Sequence, residues 1–320
     1  IPEEEAVITF SATGYVKRLP PASFKSQKRG GKGLIGSDVV DEDFLTHLIS
    51  ANTHDNILFF TDRGRVFQTK VWEIPAASRT AKGKPIHNFL EIPAEEKVGA
   101  IITYAENSKD QKADDKNQYL VMLTKGGVIK KTSLEDLKNV RRSGIIAIRL
   151  KKGDLLRWVL MSGGKDEIII TTSRGQSIKF KESQARPMGR AAAGVKAIRL
   201  KSGDEVSSMD IIPGDNKTET KNQKLLVVMA NGFGKQTPIA QYRLQKRGGS
   251  GIKAAKITAK TGLLIDAHLI SGEEELIALS AKGQVIRTKL ADVRVAGRAT
   301  QGVKIMTLNS GDKVAGIVCF

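Results

Sequence analysis

Gln27-Lys28-Arg29-Gly30-Gly31-Lys32-Gly33 sets three glycines and three cations within seven residues, with no apolar side chain among them. Such a run buries nothing. Gly30, Gly31 and Gly33 let backbone N–H groups close on an anionic oxygen, and Lys28, Arg29 and Lys32 supply the countercharge. The chemistry this combination supports is non-covalent capture of a phosphate. A near copy, QKRGGSG, returns at 245–251, with Ser250 in place of a lysine. It reads as the same position in a repeat, with a weaker function.

Other constellations carry less. Gly31, Gly33 and Gly36 spell G-x-G-x-x-G, but no βαβ pattern surrounds them, so a dinucleotide site is rejected. No G-x-x-x-x-G-K-[ST] occurs, and the chain is not expected to hydrolyse ATP. His47, His54, His87 and His268 lie apart, without metal-ligand spacing. The one cysteine, Cys319, excludes an internal disulfide framework and a Cys-based zinc cluster, and it fits a reducing cytoplasm. The expectation is a chain with no catalytic residue, no metal and no cofactor. No apolar run reaches the ~18 residues of a membrane span, and neither a signal peptide nor a long basic amphipathic helix is present. The chain opens IPEEE without Met and reads as a piece excised from something longer.

The elements that position these residues come from a repeat. An apolar run, a small polar pair, a glycine and a second apolar-basic run recur six times, with aligned glycines at Gly14, Gly64, Gly126, Gly175, Gly232 and Gly283. Period-2 alternation around a glycine predicts a tight β-hairpin. A basic, glycine-bearing stretch follows each hairpin, then a third strand such as GIIAIRLKKGD (144–154) or GVKAIRLKSGD (194–204). A fourth apolar run closes each unit, from FLTHLIS (44–50) to VAGIVCF (314–320). Polar insertions at 105–118 and 213–224 read as exposed loop extensions. Four strands in about 50 residues match a propeller blade. The fold class is therefore all-β, a six-bladed ring of four-stranded blades, closed or slightly spiral, forming one domain over 1–320. The chain starts and stops inside a unit, so the last run, 314–320, is expected to pair near residues 6–11 and complete the first blade.

Lys plus Arg outnumber Asp plus Glu by 52 to 34, a net charge of +18, which points to a polyanionic partner. The cations fall just after each turn glycine and again before each third strand. They are Lys17 and Arg18; Arg65, then Arg79, Lys82 and Lys84; Lys130 and Lys131, then Arg141 and Arg142; Lys179, then Arg186 and Arg190; Lys235, then Lys246 and Arg247; and Arg287, then Arg294 and Arg298. Equivalent positions in a ring share radius and height, so these predict a basic belt around the disc. Any one of them, taken singly, reads better as a solvated strand-edge guard.

A long belt suits a long polyanion. Duplex DNA carries a charge about every 1.7 Å of axis, and a curved basic track can follow its backbone. Bending 20–30 base pairs by 40–90° costs roughly 1–6 kcal/mol, an amount that many phosphate contacts can offset where one patch cannot. Aromatics are only 5%, and most phenylalanines fall in strands, which disfavours single-strand stacking. No helix-turn-helix or zinc-finger pattern is present for base readout. Contact to double-stranded DNA is thus expected to be sequence-independent.

The repeat and the heptapeptide together resemble the C-terminal domain of the DNA gyrase A subunit. That family carries six such repeats, folded as a β-pinwheel whose blades exchange strands with their neighbours. Its gyrase A box reads Q-R-R-G-G-K-G, and residues 27–33 match six of the seven positions, with Lys28 in place of Arg. Lys28 keeps the charge but loses the planar fork that binds a phosphate bidentately. The resemblance covers essentially the whole chain. It implies a non-catalytic domain that wraps duplex DNA around its rim. The holoenzyme, two A and two B subunits in the bacterial cytoplasm, would then introduce negative supercoils with ATP and Mg used by its other parts. The box would anchor the DNA where the wrap starts or ends. None of Tyr15, Tyr104, Tyr119 and Tyr242 lies in the R-Y-T context of the family's DNA-cleaving tyrosine.

The topoisomerase IV A subunit has a related domain without an intact box, so the box favours gyrase. Two further readings compete: a propeller scaffold for acidic proteins, and a propeller enzyme with a central-channel site. The second predicts clustered carboxylates or histidines at matching blade positions, and the sequence has none.

Overall fold

A computed structural model describes residues 1–25, 45–105, 118–214 and 221–320. The first unit forms β1 (Glu5–Ser11), β2 (Tyr15–Leu19) and β3 (Leu45–Asn52). The second forms β4 (Asn56–Thr61), β5 (Arg65–Lys70), β6 (Lys84–Pro85) and β7 (Val98–Tyr104). The third forms β8 (Tyr119–Thr124), β9 (Val128–Ser133), β10 (Ile145–Ile146) and β11 (Leu156–Ser162). The fourth forms β12 (Glu167–Thr172), β13 (Gln176–Lys181), β14 (Val195–Lys196) and β15 (Val206–Ile212). The fifth forms β16 (Lys224–Met229), β17 (Phe233–Pro238), β18 (Ile252–Lys253) and β19 (Leu264–Ile270). The sixth forms β20 (Glu275–Ser280), β21 (Val285–Lys289), β22 (Val303–Lys304) and β23 (Val314–Cys319).

Each of the first five hairpins takes its own unit's last strand on one side and a two-residue strand from the following unit on the other. The sheets run β3-β1-β2-β6, β7-β4-β5-β10, β11-β8-β9-β14, β15-β12-β13-β18 and β19-β16-β17-β22. The third strand expected within each unit is thus short and donated backwards. Val195 pairs with Ile129 of the preceding hairpin, and Val303 pairs with Gly234. All pairings between these strands are antiparallel, and the blades form a propeller-like ring. The sixth sheet holds three strands among the described residues, β23-β20-β21.

The last strand does not complete the first blade. Ile317 lies opposite Ala278 of its own hairpin, whereas β1 already has β2 on one side and β3 on the other. VAGIVCF occupies the place that FLTHLIS holds in the first unit, so β1 has no open edge for it.

Alternation within each first hairpin strand explains the core. Ile57 and Phe59 pack with Ile8 and Phe10 of the preceding blade, and Leu58 and Phe60 pack with Leu120 and Met122 of the following one. Every first strand is buried on both faces, and each apolar cluster joins two consecutive units. The last strands pack side by side from β3 on β7 through to β19 on β23.

The turn glycines take positive φ, as at Gly64, where φ is +79° and a Cβ would lie 2.6 Å from the Ile148 carbonyl oxygen. In the third unit that role belongs to Gly127 (φ 84°), one residue beyond the aligned Gly126. The Gly126 amide instead donates to Asp154 Oδ1 at 2.9 Å. Of the two polar insertions, 106–117 and 215–220 lie outside the described residues.

Candidate nucleic-acid interface

The heptapeptide Gln27, Lys28, Arg29, Gly30, Gly31, Lys32 and Gly33 lies outside the described residues. Its counterpart at 245–251 is described. The Gln245 amide donates to the Lys179 carbonyl oxygen at 2.7 Å, and the Gly248 amide to that of Ala197 at 2.7 Å. Gly248 (φ +83°) and Gly251 (φ +81°) turn the chain, and a Cβ on Gly251 would sit 2.3 Å from the Ser177 carbonyl oxygen. Lys246 is exposed, and Arg247 is half-buried against the neighbouring blade. Its Nη1 donates to the Lys196 carbonyl oxygen at 2.6 Å and its Nε to that of Gln184 at 2.9 Å. In this copy the arginine fastens the loop to the neighbouring blade and leaves Lys246 to solvent. Arg298 does the same one unit later, with Nη1 on the Lys253 carbonyl oxygen and its amide donating to Gln241 Oε1.

Of the belt cations, Lys82, Lys84, Arg141, Arg142, Arg186, Arg190, Lys246, Arg287 and Arg294 are exposed on loops or strand ends. Several lie beside a carboxylate. Arg142 pairs with Glu73, and Arg287 Nη1 lies 4.0 Å from Glu275 Oε2. Lys82 Nζ lies 4.2 Å from the centre of the Tyr15 ring. Arg18, Arg65, Arg79 and Lys179 are half-buried. Arg65 pairs with Glu96 at 3.1 Å and lies over the Phe67 ring, while Lys179 lies 3.6 Å from Glu167. Such surface pairs are worth little and can be exchanged for a phosphate.

Four predicted belt residues do not reach the surface. Lys17, Lys130, Lys131 and Lys235 are all buried. Lys131 Nζ pairs with Glu182 Oε2 at 3.5 Å over the Tyr119 ring, and Glu182 also accepts from Ser162 and the Asp166 amide. Lys17, Lys130 and Lys235 direct their ammonium groups at backbone carbonyl oxygens. Burial pushes Lys130 and Lys235 down to about 8, against which Asp136 raises Lys130. Each stands on the face of its strand that points between blades, where a cation must find acceptors instead of water.

The short donated strands add cations that the sequence reading passed over. Lys196, Lys253 and Lys304 are exposed at equivalent positions, and Arg149, Arg199 and Lys256 are exposed three residues after their strands' outward positions 146, 196 and 253. The amides of those last three bond to the basic loop of the next unit, on Ala192, Gly249 and Thr300. The recurring basic positions in GVKAIR and GIKAAK were the signal for them. Exposed cations therefore recur at equivalent places, on the loops and short strands that join one blade to the next.

The comparisons with known proteins agree with this geometry. The family described as DNA gyrase C-terminal domain, beta-propeller, matches six times, at residues 5–52, 55–98, 118–162, 166–213, 223–271 and 274–320. The chain belongs to that family. The DNA gyrase A subunit of Staphylococcus epidermidis is 41% identical over 317 residues, which cover 99% of this chain and 34% of that protein. Its counterpart in Staphylococcus aureus is 40% identical over the same span. The chain thus spans about a third of the length of these gyrase relatives. A solved C-terminal domain of DNA topoisomerase IV superposes with a TM-score of 0.82 at 24% identity, covering 100% of this chain and 94% of that one. A solved DNA gyrase A C-terminal domain gives 0.73 at 24% identity, covering 99% and 100%. Both likenesses concern the fold. Among the described residues no group of His, Cys, Asp and Glu could hold a metal ion, and no helix is long and apolar enough to cross a membrane.

Proposed function

We propose that this chain binds and wraps double-stranded DNA as the C-terminal domain of a gyrase A subunit. Exposed cations at equivalent places in consecutive blades carry the reading. A series of similar phosphate contacts spaced around a ring bends a duplex, whereas a single patch only binds it. Readout is of the backbone, without sequence preference, because no recognition helix is presented among the described residues.

In this reading the domain is non-catalytic and holds no cofactor. ATP and Mg serve other parts of an assembly of two A and two B subunits in the bacterial cytoplasm, at the nucleoid. The heptapeptide 27–33 anchors one end of the wrap through Lys28, Arg29 and Lys32. Its six-of-seven match favours gyrase over topoisomerase IV. Ligation of nicked circles in the presence of the chain tests this directly. A wrapped duplex leaves a shift in linking number, and replacing Lys28, Arg29 and Lys32 by alanine abolishes the shift while weakening binding only modestly. Binding without any shift from the unaltered chain would refute wrapping.

A further inference from the structure

The third residue after the turn glycine alternates around the ring: Lys17, Phe67, Lys130, Ile178, Lys235, Ile286. Each lysine reaches into the basic loop of the following unit. Lys17 Nζ donates to the carbonyl oxygens of Ser78, Arg79 and Ala81 at 3.3, 2.7 and 2.7 Å. Lys235 Nζ donates to those of Gly297, Arg298 and Thr300 at 2.9, 2.6 and 2.8 Å. Lys130 Nζ donates to those of Ala147, at 2.5 Å, and Arg190. One acceptor is shared by all three: the carbonyl of the arginine four residues before the left-handed glycine, Arg79 before Gly83, Arg190 before Gly194, and Arg298 before Gly302.

Where the lysine is missing, the loop above has an apolar floor. A Cβ on Gly144 would lie 2.6 Å from the Phe67 ring, and Ile178 Cδ1 lies 3.9 Å from where a Gly249 Cβ would be. The two designs alternate from blade to blade. An ammonium has three donors and no acceptor, so carbonyl oxygens turned inward on one loop satisfy it. The same geometry withdraws those oxygens from any phosphate outside.

We propose that Lys17, Lys130 and Lys235 are positioning residues for DNA contact, each fixing the backbone of a belt arginine, so that the ring is built as three blade pairs with alternating loop supports. This rests on the DNA-wrapping reading above. Among the described residues Arg298 is the charged group beside Lys235, and the ammonium is held by three carbonyl oxygens and, at 3.4 Å, by Thr300 Oγ1.

The test compares Lys235→Met with Ile178→Met in the 320-residue chain. It reads thermal unfolding, amide exchange at 296–302, and the salt slope of duplex binding. Lys235→Met is expected to exchange at 296–302 at least tenfold faster. Its salt slope is expected to fall by about 1, the share of one phosphate contact. Ile178→Met is expected to change neither. A folded Lys235→Met with unchanged exchange at 296–302 overturns the clasp. Faster exchange with an unchanged slope overturns its role in DNA contact. If Lys235→Met does not fold, Lys17→Met is read at 78–83 by the same criteria. Failure of the unaltered chain to bind duplex would refute the DNA reading, while the exchange result would still judge the clasp.

Discussion

Removing Arg186, Lys246 and Arg294 together, each to alanine, tests the belt where the structure leaves it most open. The three side chains are exposed on the loops of the fourth, fifth and sixth units. Arg186 and Arg294 stand at equivalent places, each five residues past the end of the hairpin's second strand, Lys246 stands three residues further along its own loop, and none of the three belongs to an apolar cluster. If each neutralises one phosphate, losing all three lowers the slope of log affinity against log salt by about 2.7. Between 50 and 200 mM salt that removes about 40-fold of the fall in affinity seen with the unaltered chain. Folding stability should change by less than ~0.5 kcal/mol for each surface substitution. Fluorescence anisotropy of a labelled duplex over a salt series measures the slope, and thermal unfolding provides the control. A change in slope below about 1, with the fold intact, would show that these cations do not lie on the DNA path.

Two further outcomes follow from the packing and the charges. Gly64→Ala should destabilise the chain by about 2–4 kcal/mol, since the new Cβ meets the Ile148 carbonyl at a left-handed turn; a thermal scan within a degree of the unaltered chain would contradict this. His268 is half-exposed near the ends of β15, β19 and β23, where burial pulls its pKa down but Asp266, Asp210 and Glu273 raise it to about 9. Its folded pKa exceeds its unfolded one, so its stabilisation is complete below about 6.5 and disappears as pH rises through about 9. Water screens the pair, which leaves ~1 kcal/mol. The stability difference between the chain and His268→Gln should therefore shrink from pH 6 to pH 10, and a pH-independent difference would contradict the assignment.

Much of the architecture could be read from the residues. Apolar alternation on both sides of a glycine marked every hairpin, and both faces of ILFF (57–60) are buried because each meets a different blade. The backward donation of the short strands was not visible in periodicity, because two residues such as Val195-Lys196 carry no pattern; the family resemblance alone implied an exchange of strands. The partner of 314–320 was misjudged because an orphan strand at each end invited a pairing, whereas the last strand simply completes its own hairpin's sheet. Lys17, Lys130 and Lys235 were read as belt residues because charge ordinarily means surface. Aligning the repeats puts them where Phe67, Ile178 and Ile286 stand, and that alignment was the available sign of burial. Lys131 gave no such sign, because Arg18 and Lys179 occupy its place in other units and are half-buried, not buried.

Cations repeated around a ring of β-blades are proposed to curve a double helix. The distance between the ends of a duplex of about 100 base pairs, shorter than the ~150 base-pair persistence length, measures this most directly by energy transfer between end labels. One bound chain is expected to bring the ends together at low salt, and they are expected to separate again as salt rises. Ends that stay as far apart as in free DNA, at saturating protein, would contradict it.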